Sequence, residues 1–286
     1  MDTSMGAGAG AGAGAGRSGA TDFGADARAG TVAGRRVPPG FTIEPFTDRC
    51  REIWARGEHV LIGVSPGNGY FSEQRLTGLL RWASEAFAEV DPIVPDVALV
   101  HTYRALGHPE ERARSYAQRD TRRLCRRIAR AWTASGVPEH RHRIRTLTEF
   151  TGDPTYRALL GRVERAAERQ PSVREVFLRA SGKALASHLK GAKPTAEQLA
   201  EGMRYLIAEM PLCMDSPGIL GVPSSVHVYH QVIPTVPLVF GELFSTPLQA
   251  YAVVRPALPG PPPSAPPRRS GQLPPVGPLT GVVTGP

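Results

Sequence analysis

Cysteine is scarce in this chain: Cys50, Cys125 and Cys213 are its only three, far apart and without a C-x-x-C pair. That excludes a disulfide framework and argues against metal ligation; an odd, scattered set suits reduced thiols in a cytoplasm. No apolar run reaches membrane-spanning length, and the N-terminal stretch lacks the apolar centre of a secretion signal. Arg35-Arg36 precedes Val37-Pro38-Pro39-Gly40, which is no convincing twin-arginine signal. A cytoplasmic protein without a membrane partner is expected. Lysine is nearly missing as well. Lys183, Lys190 and Lys193 are the only ones, so the net charge of +8 is carried almost wholly by arginine.

Both ends lack the apolar residues a core requires. Residues 6–16 alternate Ala and Gly, and the chain stays small and polar to about Gly40. From about Pro256 it is Pro-rich, with Pro261-Pro262-Pro263 and Pro274-Pro275. Tails of this composition are expected to be disordered over 1–40 and 256–286. That leaves 41–255, enough for a single catalytic-size α/β domain.

What is present centres on Val60 to Ser72. Val60-Leu61-Ile62-Gly63-Val64 reads as a buried strand. Ser65-Pro66-Gly67-Asn68-Gly69 then breaks it, and after Ser72 Leu76, Leu79, Leu80, Ala83 and Phe87 fall on one helical face. A loop leaving the carboxyl end of a strand is where open α/β sheets bind ligands. Gly63-Val64-Ser65-Pro66-Gly67 also fits the G-x-S-x-G nucleophile elbow of serine hydrolases. That elbow uses the N–H of the residue after the serine, and Pro66 has none. An ordinary esterase is therefore disfavoured, and a strand-ending serine that merely turns the chain is the plain alternative.

Taken in order, the elements alternate. After a segment and short helix over 41–54 come a strand at 59–64, a helix at 72–89, and a strand or extended loop from Pro92 to Leu99. A helix follows from about Pro109 to Ser135, then a weak strand at Arg143–Leu147 and helices at 155–169 and 173–189. Thr195 is the N-cap of another helix, which Pro211 brings near its end. His227 to Val236 reads as a strand. The alternation predicts a three-layer, Rossmann-like α/β core with a central, mainly parallel sheet.

The helix at 109–135 carries Arg112, Arg114, Arg119, Arg122, Arg123, Arg126, Arg127 and Arg130, with Asp120 the only acid from Arg112 to Arg130. At 100° per residue Ala113, Ala117, Leu124, Ile128 and Ala131 share one side, and Arg112, Arg119, Arg123, Arg126 and Arg130 cluster on the opposite one. A solvated face normally mixes signs. An almost unmixed cationic stripe points to phosphate-backbone binding, with a merely soluble basic face as the alternative. Nothing in the chain reads bases, so contact without sequence readout is expected, and no DNA partner.

Two further stretches carry chemistry. Tyr205 and Glu209 stand four residues apart on one helical face. Such a pair is often surface decoration, but Ile207, Ala208, Met210 and Leu212 make the setting apolar, where an unpaired carboxylate is costly; a phenol and carboxylate held so can grip a primary amine. The second stretch, from Asp215 to His230, is a Gly/Pro/Ser loop running into a strand. It places His227 and Tyr229 on one strand face and His230 on the other.

Together these stretches resemble the cyclodipeptide synthases, tRNA-dependent enzymes whose fold is similar to the catalytic domain of class I tyrosyl- and tryptophanyl-tRNA synthetases. The resemblance spans roughly His59 to Tyr251. It rests on the Gly63-to-Asn68 loop, on Tyr205-x-x-x-Glu209-x-Pro211, and on Gly221-Val222-Pro223-Ser224-Ser225 leading to Tyr229-His230. Asn68, Tyr229 and His230 match the family's Asn-Tyr-His branch. The resemblance implies two aminoacyl-tRNA substrates and no cofactor; the chain has no P-loop and no ATP-using synthetase signature. It implies Ser65 as nucleophile, Tyr205 and Glu209 as anchors of the α-amino group, and Tyr229 as proton relay. Gly67, Asn68 and His230 would support the loop, and Leu61, Gly63, Leu212 and His227 would line the first amino-acid pocket, suggesting an apolar or aromatic residue. Arg112, Arg119, Arg122, Arg123, Arg126, Arg127 and Arg130 would hold tRNA. The alternatives are a non-catalytic RNA-binding protein of the same fold and, less favoured, a serine esterase. The oligomeric state is not legible; a monomer is the working expectation.

Overall fold

A computed structural model describes residues 40–240 and 246–257; the expected tails fall outside these residues but for their inner edges. Six strands form one sheet in the order β1-β6-β5-β2-β3-β4: β1 (Phe41–Pro45), β2 (His59–Gly63), β3 (Glu89–Val94), β4 (Arg145–Thr146), β5 (Ser225–Tyr229) and β6 (Gln249–Pro256). All neighbours run parallel except β1 and β6. The helices are α1 (Asp48–Arg56), α2 (Glu73–Ala86), α3 (Leu99–Ala105), α4 (Glu110–Ser135), α5 (Pro154–Arg169), α6 (Pro171–Ala186), α7 (Ala196–Leu220) and α8 (Val236–Phe240). This is the mixed, mainly parallel α/β architecture that the alternation predicts.

Strand periodicity sorts the side chains to two faces. Val60, Ile62, Val226, Val228, Ala250, Ala252 and Val254 point to one face, where α1, α2 and α4 bury Trp54, Trp82, Leu80, Ile128 and Trp132 against them. Leu61 and Ile93 point to the other, packing with Leu147, Phe150, Tyr156 and Leu212 of α7. Helices α5, α6 and α7 share a further core of Val163, Phe177, Met203 and Met210. So α7 lies over the face that carries every polar residue of the central strands.

Several boundaries differ from expectation. α2 stops at Ala86, with Phe87 as its C-cap, because Ala88 and Glu89 already bond to Gly57 and Glu58 beside β2. The strand expected from Pro92 therefore starts at Glu89, and Leu99 and Val100 open α3 instead. Pro92 is tolerated inside β3 because β4 pairs only with Ile93 and Val94, leaving that edge free. Pro211 does not bring α7 to its end. The helix runs on to Leu220 through a kink at Asp215, whose Oδ1 accepts the Gly218 N–H at 3.0 Å and so caps a second helical segment with Pro217 near its start. β5 ends at Tyr229 rather than Val236. β1 and β6 were not legible as strands; β6 reaches Pro256, paired with Phe41, so the folded chain passes the boundary expected at 255.

Below the site, near the amino ends of the strands, one polar cluster is centred on a fully buried carboxylate. Asp91, 0% exposed, accepts from Arg143 Nε at 2.6 Å and lies 3.2 Å from His59 Nε2; His59 Nδ1 in turn meets Ser225 Oγ at 2.8 Å. Burial alone would raise the Asp91 pKa, but the hydrogen bonds from His59 and Arg143 and the Arg143 charge outweigh it and hold the carboxyl well below the usual range. A depressed carboxylate pKa contributes stability above its unfolded value and loses it as pH falls through the folded one. Asp91→Asn is expected to lower unfolding free energy by about 3 kcal/mol at neutral pH. In urea titrations the gap to wild type should narrow as pH drops below about 4; a gap constant with pH contradicts the assignment.

Candidate active site

β2 and β5 lie side by side, yet the chain leaves β2 toward β3 on one side and returns to β5 by way of α7 on the other. Their carboxyl ends thus flank a crevice at a topological switch point, the usual ligand position in such sheets. Ser65 follows β2 by two residues and Tyr229 ends β5. Ser65 Oγ lies 2.9 Å from Tyr229 Oη.

The loop carrying Ser65 is held from several sides. Gly67 takes φ +72, a left-handed conformation that suits glycine. Asn68 Oδ1 accepts the Tyr70 N–H at 2.9 Å, while its Nδ2 reaches His230 Nε2 at 3.0 Å and Tyr229 Oη at 3.4 Å. Asn68 therefore ties the loop carrying Ser65 to both residues at the end of β5. Tyr70, which sequence reasoning missed, stacks on His230 at 4.4 Å between ring centroids and donates to the Val254 carbonyl at 3.1 Å. Arg127 of α4 donates to the Phe71 carbonyl at 3.1 Å.

From the opposite wall α7 contributes Tyr205 and Glu209, one turn apart, with the phenol donating to Glu209 Oε1 at 3.1 Å. Both line the cavity but sit deep within the protein. Burial pushes the Glu209 carboxyl up to about 7 against the opposing Tyr205 hydrogen bond. Burial first, and then the Glu209 charge, raise the Tyr205 phenol well above its usual value. The cavity measures about 460 Å³ and brings together Gly63, Ser65, Gly67, Asn68, Tyr205, Glu209, Leu212, His227 and Tyr229. Two of the sequence candidates stay out of it. Leu61 is 0% exposed and belongs to the core below, because its neighbours Gly63 and Leu212 already close the wall above it. His230 stands behind Tyr229, against Tyr70 and Phe71.

The arginines of α4 divide. Ala113, Ala117, Leu124, Ile128 and Ala131 are buried, opposite the cationic side. Arg112, Arg122 and Arg126 are exposed, with no acidic partner among the described residues. Arg119 and Arg123 share Asp120 at 3.1 and 3.6 Å, and Arg130 pairs with Glu73 at 2.7 Å. Arg127 is half-buried and spends a donor on the Phe71 carbonyl, just after the Ser65 loop. So the stripe is partly compensated, by Glu73 of α2 in a way the helix sequence alone cannot show. Asp120 accepts from Tyr103, and both line the cavity mouth, placing α4 beside the opening.

A mainly parallel sheet with a serine loop at its switch point, facing a phenol and carboxylate on a covering helix, is a Rossmann-like α/β fold with these side chains around one cavity. Residues 41–256 match the family described as cyclodipeptide synthase, and the chain belongs to that family. It is 35% identical over 234 residues to the cyclo(L-tyrosyl-L-tyrosyl) synthase of Mycobacterium tuberculosis, covering 78% of this chain and 80% of the relative. It is 36% identical over 228 residues to the cyclo(L-leucyl-L-phenylalanyl) synthase of Streptomyces noursei, covering 76% and 92%. A solved M. tuberculosis structure, described as demonstrating that cyclodipeptide synthetases are related to type I tRNA synthetases, superposes with a TM-score of 0.67 at 35% identity, covering 78% of this chain and 98% of that one.

The elevated Glu209 pKa is open to direct measurement. In carbon-13 NMR of carboxyl-labelled protein one resonance should titrate near pH 7 and be missing from Glu209→Gln. A Glu209 carboxyl that titrates in the ordinary range near about 4 contradicts a buried, singly bonded acid.

Proposed function

We propose that this chain joins two aminoacyl groups, each delivered as an ester on tRNA, into a cyclic dipeptide by ping-pong chemistry on Ser65. The observation that carries the reading is the Ser65–Tyr229 contact of 2.9 Å inside the cavity shared with Tyr205 and Glu209. Ser65 Oγ attacks the first ester carbonyl; the bond to the ribose oxygen breaks, and the serine proton passes through Tyr229 to that oxygen. The product is an aminoacyl-serine and free tRNA.

Tyr205 and Glu209 hold its α-amino group. A carboxyl with a pKa near 7 is matched to an α-ammonium, so Glu209 pairs with the charged form and accepts its proton as the amine is needed. The amine attacks the ester of a second aminoacyl-tRNA, forming an amide and releasing the second tRNA. The free amine of the resulting dipeptidyl-serine then attacks the Ser65 ester, closing the diketopiperazine ring and returning the hydroxyl.

Both amides form from esters already activated, which removes the need for ATP. The protein's part is positioning and proton handling. Pro66 supplies no N–H beside the nucleophile, a weak oxyanion site that also limits wasteful hydrolysis. Asn68, Tyr229 and His230, linked by hydrogen bonds, support membership of the Asn-Tyr-His branch. The exposed arginines of α4 take the acceptor arm by charge, and a cytoplasmic setting supplies charged tRNA. The two relatives join different amino acids, so identity alone does not choose the substrates.

Incubating the purified protein with a mixture of charged tRNAs, without ATP, should yield cyclic dipeptides by mass spectrometry. Ser65→Ala should reduce them below detection; persistent product removes Ser65 from its role, and ester hydrolysis without RNA favours an esterase. Separately, Arg119→Ala, Arg123→Ala and Arg126→Ala combined should weaken tRNA binding and lower the slope of log affinity against log salt by about 2 to 3. Unchanged binding moves the RNA surface elsewhere.

A further inference from the structure

Among the described residues two carboxyl groups line the cavity, Glu209 and Asp120, and the steps above use only the first. Asp120 is the only acid between Arg112 and Arg130, yet it does not stand on the cationic side of α4. It comes three residues after Ala117 and four before Leu124, both buried, and so projects from the inward stripe of the helix. The neighbouring members of that stripe, Ala113, Ala117, Leu124 and Ile128, are all apolar. A carboxylate in such a place is costly unless partners meet it.

Protein groups meet it in part. Tyr103 of α3 donates to Oδ2. Burial first, and then this hydrogen bond, push the phenol up to about 12, so it keeps its proton. Arg119 Nε donates to Oδ1 at 3.1 Å, and Arg123 approaches to 3.6 Å. The Arg119 guanidinium is itself held over the Tyr116 ring, 4.7 Å from its centroid, and Tyr116 stands edge-on to Tyr103 at 5.4 Å. The carboxylate is thus fixed in position. It can accept about four hydrogen bonds, and each oxygen keeps a lone pair. Its side chain is 25% exposed and opens on the cavity beside Thr102 and Tyr103.

What remains is a place for a neutral donor. An ammonium or metal ion would meet the Arg119 and Arg123 charges, and a phosphate would meet the carboxylate's own. A hydroxyl meets neither obstacle, and its hydrogen bond to a charged acceptor is a strong one. An aminoacyl ester on tRNA is borne by one of two adjacent oxygens of the terminal ribose. The other is a free hydroxyl, beside the reacting carbonyl and on the side of the cavity that leads out to α4.

We propose that Asp120 binds the free hydroxyl of the terminal ribose of the aminoacyl-tRNA, which donates to the carboxylate held at the cavity mouth by Tyr103 and Arg119. This rests on the tRNA-ester reading above. It gives α4 two tasks on two faces. The exposed arginines meet phosphates wherever these fall, while the inward acid reads the sugar as ribose at its reactive end.

The test follows the rate at which an aminoacyl-tRNA acylates the Ser65 peptide in a single turnover. Three forms of the charged tRNA are compared, one with an intact terminal ribose and two lacking its 2′ or its 3′ hydroxyl, which fixes the ester on the other oxygen. In wild type even the faster deoxy form should react more slowly than the intact one. That penalty should be about tenfold larger in wild type than in Asp120→Ala. Asp120→Asn, isosteric but uncharged, should lie between the two. A penalty unreduced in either variant, or absent in wild type, overturns the assignment of Asp120 and leaves the role of Ser65 standing. No adduct in wild type from any of the three forms overturns both.

Discussion

The hydrogen bond between Ser65 and Tyr229 depends on two strands meeting as neighbours although 164 residues separate the two side chains in sequence. β2 and β5 adjoin because the chain builds outward from β2 through β3 and β4, then crosses back beneath α7 to start the other half of the sheet. Leu61 pairs with His227 in the register, so each residue beyond them on one strand faces its counterpart on the other. A slip by one residue would turn Tyr229 toward the apolar face and empty the site. Packing on the Trp54–Trp82 side thus holds the chemistry on the other side in place.

The polar face of the sheet has two ends with opposite electrostatics. At the amino ends, Asp91 is enclosed but surrounded by Arg143, Arg145 and His59, and its charge is held on. At the carboxyl ends, Glu209 is enclosed with only a phenol for a partner among the described residues, and its pKa rises to about 7. A carboxyl group stays charged where cations meet it and has its pKa raised where they do not. The long helix α4 links surface charge to the site: its exposed side is cationic, while Arg127 grips the loop that carries Ser65 and Asp120 stands at the cavity mouth.

Much of this was legible from local pattern. The strand at Val60, the serine loop, the amphipathic arginine helix and the Tyr205/Glu209 spacing each depend on periods of two or 3.6 residues. What was not legible is mostly non-local. Tyr70 reads as one more turn residue until β6 supplies the Val254 carbonyl that it bonds. Glu73 neutralises Arg130 from a different helix. Pro211 suggested a helix end, yet Asp215 caps a second segment that continues α7 to Leu220. Leu61 was placed in the pocket by the family resemblance, although it lies two residues deeper than Gly63 on the same strand face and joins the core beneath. β6 did offer a signal in Tyr251-Ala252-Val253-Val254, a β-branched run masked by the Pro-rich stretch that follows it.

The central claim is that one hydroxyl at the end of β2 carries the growing product. Rapid quenching of the enzyme with a single aminoacyl-tRNA, followed by digestion and tandem mass spectrometry, tests it most directly. The account predicts one aminoacyl unit, labile to base, on the peptide containing Ser65 and localised to that residue. An adduct on another side chain, or steady formation of cyclic dipeptide while Ser65 stays unmodified throughout the time course, would contradict it.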